Sequence, residues 1–227
     1  MAKSASGLCF DIGCKSVEGI SHRYQDRVLV DRGRLLFAVA DGLTFSSLPK
    51  GGEGDGGIAA QMAVNFVRKN FNGSPKDAIL GANSELVRTG TQFGIGGETT
   101  ITIAFIDGER LYVANVGDSP AYLLRNGRLC RIYTQDKGHF GGLSQALGHD
   151  HEIIVHERSV SLRIGDLVAI ASDGALKVMT GKDLSVALNP KDPIQVHVDA
   201  LIRKAEDRRG NYDDDKSLIL IRVLVRD

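Results

Sequence analysis

The segment Leu218-Ile219-Leu220-Ile221-Arg222-Val223-Leu224-Val225 constrains the fold more than any other. Alternation along a strand sends Leu218, Leu220, Arg222 and Leu224 to one face, and Ile219, Ile221, Val223 and Val225 to the other. Both faces are largely apolar, so this strand needs cover on both sides. Residues 35–40 and 167–171 are further short apolar runs of the kind that form buried strands. Residues 99–106 and 111–116 flank Asp107-Gly108, and residues 121–124 and 129–133 flank Asn126-Gly127, which predicts two hairpins. Arg27-Val28-Leu29-Val30 adds another strand signal.

Three stretches carry the helical period instead. Ile58, Met62, Phe66 and Val67 form one apolar stripe, closed by Asn72-Gly73. Ala78, Ala82, Leu86 and Val87 form the next, opened by Ser74-Pro75, and a third runs over 194–205 through Val198, Leu201 and Ile202. Such stripes face a core. Strands covered on both sides, together with one-sided helices, predict an α+β fold in four layers, α-β-β-α: a central antiparallel β-sandwich flanked by helices. The most open stretch, 46–57, joins a strand signal to a helix signal and is read as a loop within one domain spanning residues 1–227.

Composition narrows the classes of function. Lys+Arg and Asp+Glu both number 28, so no general attraction draws the chain to nucleic acid or to an anionic membrane. No apolar run approaches the roughly 18 residues of a membrane helix. Residues 1–6 lack the apolar core of a signal peptide. Cys9, Cys14 and Cys130 are an odd and small set, which predicts reduced thiols and a cytoplasmic location.

The chemical signal is a set of aspartates at strand ends. Asp41 ends Phe37-Ala38-Val39-Ala40-Asp41-Gly42, and Asp173 ends Val168-Ala169-Ile170-Ala171-Ser172-Asp173-Gly174. Asp118 follows Val113-Ala114-Asn115-Val116-Gly117, Asp213 to Asp215 precede the final strand, and Asp26 precedes Arg27. One aspartate on a loop is ordinarily solvated or caps a turn. Several converging on one rim would be costly unless cations sit between them. Oxygen-only donors suit hard ions such as Mg²⁺ or Mn²⁺, and none of the six histidines has the spacing of a zinc site.

In order along the chain, Phe37-Ala38-Val39-Ala40-Asp41-Gly42, Gly97-Glu98-Thr99-Thr100, Val113-Ala114-Asn115-Val116-Gly117-Asp118-Ser119, Gly165-Asp166, Ser172-Asp173-Gly174 and Asp214-Asp215-Lys216-Ser217 resemble the motifs of the protein phosphatase 2C (PPM) family. Leu143-Ser144-Gln145-Ala146-Leu147-Gly148 is similar to a further family segment. The resemblance implies hydrolysis of phosphoserine or phosphothreonine on a protein by water activated at a two-metal site. It makes Asp41 and Asp173 the catalytic carboxylates, with Asp41 bridging two Mn²⁺ or Mg²⁺ ions. The Gly42 carbonyl, Asp26, Asp173 and Asp214 are the implied further ligands, and Asp118 with Asp173 would hold a third, weaker ion. No protein nucleophile is implied.

Three departures from the family pattern stand out. The usual arginine and glutamate of the first motif are Ser21 and Gln25 in Ser21-His22-Arg23-Tyr24-Gln25-Asp26. Strand alternation would point Arg23 the way of Ser21, which makes Arg23 the candidate phosphate-binding residue, and Gln25 predicts a weaker second ion. Leu43-Thr44-Phe45 replace the family's Gly-Gly-His, so no histidine acid stands there; His22 or water could serve. Finally, Asp136-Lys137-Gly138-His139-Phe140-Gly141-Gly142 leads straight into Leu143, so the family's long flap is nearly deleted. That trait is shared with short bacterial phosphatases of sigma-factor switches. It implies a folded phosphoprotein substrate and, as partner, a cognate serine/threonine kinase or an anti-sigma-type switch. Ser21 and Gln25 also suit a second reading, a pseudophosphatase that binds a phosphoprotein without turnover.

Overall fold

The computed structural model describes residues 2–3, 7–21, 23–43, 55–93, 97–138, 142–177, 179–208 and 213–225. In chain order the strands are β1 (Ala2–Lys3), β2 (Cys9–Val17), β3 (Arg27–Asp31), β4 (Leu36–Ala40), β5 (Ile101–Asp107), β6 (Arg110–Val116), β7 (Ala121–Arg125), β8 (Arg128–Arg131), β9 (His156–Ser161), β10 (Leu167–Ala171) and β11 (Lys216–Leu224). The helices are α1 (Asp55–Asn70), α2 (Pro75–Phe93), α3 (Asp173–Leu176), α4 (Gly181–Ser185) and α5 (Ile194–Asp207), with a 3-10 turn at Val186–Leu188. One sheet runs β1-β2-β11-β10-β7-β8 and the other β3-β4-β5-β6-β9, and the paired strands are antiparallel.

Three apolar layers hold the expected four-layer α+β arrangement together. Phe10, Phe37, Val39, Ile170, Ile219 and Ile221 pack in the core shared by the two sheets. Behind β4, β5 and β6, the residues Ala60, Ala63, Val67, Ile79 and Ala82 of α1 and α2 close on Ala38 and Ile103. Behind β10 and β11, Val198, Leu201 and Ile202 of α5 close on Ala169, Leu218 and Leu220. The two faces of β11 thus enter different cores, as its double apolar pattern requires.

Details differ from the sequence reading. Ile58 is 49% exposed, and the inward face of α1 is the small-residue set Ala59, Ala60, Ala63, Val64 and Val67. Small side chains let the helix approach its sheet closely, and the larger Met62 and Phe66 sit at the margin. Thr99 and Thr100 lie before β5, where Thr99 bridges Gly42 and Leu147 instead of extending the strand. Strands β2 and β9 carry no clear apolar alternation and were not expected from pattern; β9 is a polar edge strand paired only to β6. Within the open stretch, α1 begins at Asp55, and residues 44–54 lie outside those described.

Arg222 enters the helix-side layer of β11 as a buried cation. Its guanidinium donates to Asp11 Oδ2 (2.6 Å) and to the carbonyls of Asp192 (2.8 Å), Ala187 (3.2 Å) and Asn189. It pins the segment between α4 and α5 to the sheet. Arg222→Ala would leave those acceptors without their donor, so the urea midpoint should fall by an amount equivalent to about 3 kcal/mol. An unchanged midpoint would show that the segment needs no such clip.

Candidate metal centre

Strand register gathers the acidic strand ends. Arg27 pairs with Ala40, which sets Asp26 beside Asp41. Ala171 pairs with Leu218, and Ser172 N donates to the Ser217 carbonyl (3.0 Å), which sets Asp173 beside the residues that lead into β11. Ile101 pairs with Val116, so Gly117 and Asp118 leave β6 next to Thr100. The threonines brace the bridge between these ends. Asp41 N donates to Thr100 Oγ1 (3.2 Å), while Thr100 N and Thr99 Oγ1 donate to the Asp41 carbonyl (2.8 and 3.0 Å). Gly42 is buried and bridges Thr99. Gly174 allows the closest approach: a Cβ there would lie 2.2 Å from the Asp215 carbonyl oxygen.

The electrostatics show that the carboxylates share one region. Burial pushes the Asp41 carboxyl well above the ordinary range, and the charges of Asp26, Asp173, Asp214 and Asp118 push it further. Burial likewise raises Asp26 to about 7, aided by Asp215 and Asp214. The Ser217 and Ser172 hydroxyls offset this in part, but they are engaged elsewhere: Ser217 Oγ with Ser16 Oγ, and Ser172 Oγ with the Asp215 carbonyl (3.4 Å). Both carboxylate oxygens of Asp26 and Oδ1 of Asp173 are buried with no hydrogen-bond partner. Asp118 is raised by burial and by Asp173, against the charges of Lys177 and Lys137. Orphaned, buried carboxyl oxygens of this kind fit a hard divalent cation, which would displace their protons. Among the described residues no three Asp, Glu, His or Cys side chains are already closed up as a ligand set. Lys177 holds one oxygen of Asp173.

A second group of residues, Asp213, Asp215 and Lys216, to which the sequence reading gave no separate role, fixes the loop before β3. Asp215 accepts the backbone N–H groups of Gly19 (2.8 Å), Gln25 (2.6 Å) and Asp26 (3.1 Å), so it positions that loop. Lys216, itself buried, donates to Asp213 Oδ1 and to the Asp214 carbonyl (2.8 Å). Asp213 Oδ2 accepts Ile20 N (3.3 Å), and Asp213 N donates to Ser21 Oγ (2.8 Å). The described residues between Val17 and Arg27 are loop, and strand alternation does not set the direction of Arg23, which is exposed there. Gln25 is buried. His22, Thr44, Phe45 and His139 lie outside the described residues. The flap is indeed short: Lys137 bridges Leu143, and Gly138 N donates to the Gly142 carbonyl (2.7 Å). The cysteines are free, and burial raises the Cys14 thiol to about 11, which disfavours its thiolate.

A cavity of about 570 Å³ lies away from the cluster, between α4 and α5, lined by Thr180, Lys182, Asp183, Val186, Lys204 and Arg208. Its buried carboxylate, Asp183, is already paired with Lys204 and Arg208. The unmet chemistry is at the strand ends, so the cluster is the candidate site.

Comparison with known proteins agrees with this placement of the fold. The model of the family described as Stage II sporulation protein E (SpoIIE) matches residues 57–224. "Probable protein phosphatase 2C 9" of Arabidopsis thaliana is 27% identical over 225 residues, covering 82% of this chain and 76% of that one. "Serine/threonine phosphatase stp" of Listeria monocytogenes is 25% identical over 223 residues, covering 81% and 82%. The catalytic domain of the serine/threonine protein phosphatase PstP, solved with two manganese ions, superposes with a TM-score of 0.79 at 23% identity, covering 96% of this chain and 99% of that one.

The raised Asp26 gives the stability a definite pH dependence. The folded chain keeps this proton up to about pH 7, whereas an unfolded aspartate releases it near pH 4. Between those values the folded state binds more protons, so stability falls as pH rises. With divalent ions chelated, the Tm should drop between pH 5 and 7.5, and Asp26→Asn should flatten the slope. A Tm in chelator that climbs steadily over this range would contradict the burial of an unneutralised Asp26.

Proposed function

Because the chain belongs to the SpoIIE and protein phosphatase 2C (PPM) family, we propose that it hydrolyses phosphoserine and phosphothreonine on proteins at its carboxylate cluster. One observation carries the placement: the buried oxygens of Asp26 and Asp173 without partners, in the same region where four neighbouring carboxylates raise Asp41. On this reading Asp41 would help to hold both of two Mn²⁺ or Mg²⁺ ions, with Asp173 and Asp214 helping to hold one, Asp26 on the side of the other, the Gly42 carbonyl as a further ligand and Asp118 at the edge of the set. Bound there, the ions would supply a water acidic enough to attack at neutral pH and a clamp on the phosphoryl oxygens.

The chain's own residues supply order. The Thr99 and Thr100 bonds fix the Asp41 backbone, and the Asp215 bonds fix Asp26 and Gln25, so both carboxylates meet the substrate without reorganising. Arg23, exposed on the rim, is proposed to grip the phosphate. The short connection at Lys137–Leu143 leaves the rim open, which suits a folded phosphoprotein more than a small ester. We place the activity in bacterial signalling in the cytoplasm, opposite a serine/threonine kinase or within an anti-sigma-type switch, with residues 1–227 acting as one catalytic unit. Among the described residues no helix is long and apolar enough to cross a membrane.

The buried Gln25 and the Ser21 hydroxyl, taken up by Asp213 N, favour a second reading, a pseudophosphatase that binds without turnover. Activity assays separate the two. Wild type should dephosphorylate a phosphopeptide with Mn²⁺ and stop in excess EDTA. Asp41→Asn should lower kcat by at least about a hundredfold, a loss of several kcal/mol of transition-state stabilisation. Near-wild-type turnover in that variant would mean that the chemistry lies elsewhere. Gln25→Glu restores a full charge beside the second ion and should lower the half-saturating Mn²⁺ concentration several-fold, equivalent to about 1 kcal/mol. Wild type inactive at every Mn²⁺ level, with turnover gained in Gln25→Glu, would establish the binding module instead.

A further inference from the structure

Lys177 stands inside the acidic rim, where a side chain of its charge has no part in the scheme above. The short helix α3 starts at Asp173, so Lys177 lies one turn further on and brings its ammonium back onto Asp173 Oδ2. The other oxygen, Asp173 Oδ1, is buried without a partner, so the two oxygens of this carboxylate have different fates. Asp118 faces the same place: the Asp173 charge raises its carboxyl, and the Lys177 charge lowers it. Partial burial opposes the charge on Lys177, but its bond to Asp173 and the charges of Asp173, Asp214 and Asp118 hold it above an ordinary lysine. On the Asp26 side, neither Asp26 oxygen has a hydrogen-bond partner among the described residues, and the charges of Asp215 and Asp214 act on it there.

We propose that Lys177 is a built-in counter-ion that takes the place of a further divalent cation between Asp118 and Asp173 Oδ2, so that the cluster loads ions only at Asp26, Asp41, Asp214 and the free oxygen of Asp173, Oδ1. A monovalent ammonium on a tether is a cation at high effective concentration, and a divalent ion must displace it to reach Asp173 Oδ2. Lys177 would thereby limit the number of ions bound and leave Asp118 as a carboxylate balanced by protein charge. This inference rests on the metal-dependent reading above and concerns how many ions that site accepts.

The test counts bound Mn²⁺ directly, from the loss of the free-ion electron paramagnetic resonance signal as the intact chain is titrated. Lys177 is 65% exposed at its side chain, so Lys177→Gln should fold normally, which its thermal unfolding would verify. The expected result is about one more Mn²⁺ per chain in Lys177→Gln than in wild type. The double variant Lys177→Gln/Asp118→Asn should lose that extra ion. Equal stoichiometry and equal midpoints in wild type and Lys177→Gln, both binding Mn²⁺, would overturn the counter-ion proposal and leave the metal reading standing. An extra ion that persists in the double variant would also overturn it, because the ion would then sit away from Asp118. Absence of bound Mn²⁺ in either protein would overturn the metal reading and the counter-ion role with it.

Discussion

Repulsion between carboxylates is the constraint around which this molecule is organised. Asp26, Asp41, Asp118, Asp173 and Asp214 come from both sheets and act on one another's ionisation. Flexible loops would let such charges drift apart into water. Here each side chain is attached within a residue or two of a strand that packs into the apolar cores. β4 and β10 are buried at every position, and their last residues carry Asp41 and Asp173 to the rim. The hydrophobic layers therefore do mechanical work against electrostatics: their area sets how much like charge the rim can hold.

The same logic explains the charged residues beneath the rim. The Asp213–Lys216 pair is buried on both sides, and Asp215 satisfies three backbone donors of the opposite loop. A buried ion pair adds little net stability over an apolar pair, but it does fix geometry. These bonds tie the loop carrying Gln25 and Asp26 to the residue next to Asp214, so carboxylates from the two sheets are held at a set separation. Thr99 and Thr100 do the same for Asp41. Ordered second partners of this kind are what a metal site requires of its protein.

How far the sequence reveals this depends on the range of the interaction. Asp41 and Asp173 were legible because a buried run followed by Asp-Gly is a local pattern, and the double apolar pattern of β11 demanded layers on both sides. β2 was not legible: Gly13 interrupts its pattern, and the reason is tertiary, since a Cβ there would lie 2.9 Å from Val198 Cγ2 of α5. β9 was hidden because an edge strand with exposed side chains has no apolar period to read. Ile58 misled because periodicity counts large residues, whereas the helix–sheet contact uses alanines. Asp215 looked like one more acid in a run, and its role depends on Gly19, Gln25 and Asp26, nearly the whole chain away. The pairing of Lys177 with Asp173 follows an i,i+4 spacing that is visible in sequence, but its meaning comes from Asp118 and Asp214.

Function and folding are then linked through one free energy. A chain that buries unpaired carboxylates is less stable than the same fold with those charges neutralised, and cations that bind only the folded state return that stability in proportion to ln(1 + [L]/Kd). The protein supplies part of the neutralisation itself, through Lys177 on one side of the cluster. On the remaining side, no cation among the described residues is hydrogen-bonded to Asp26. A phosphate ester carries negative charge too, so a bare rim would repel the very group it is proposed to act on. Cation binding, stability and affinity for a phosphorylated partner are thus three readouts of the same charge imbalance, and the strands that keep Asp26 and Asp41 adjacent set its size.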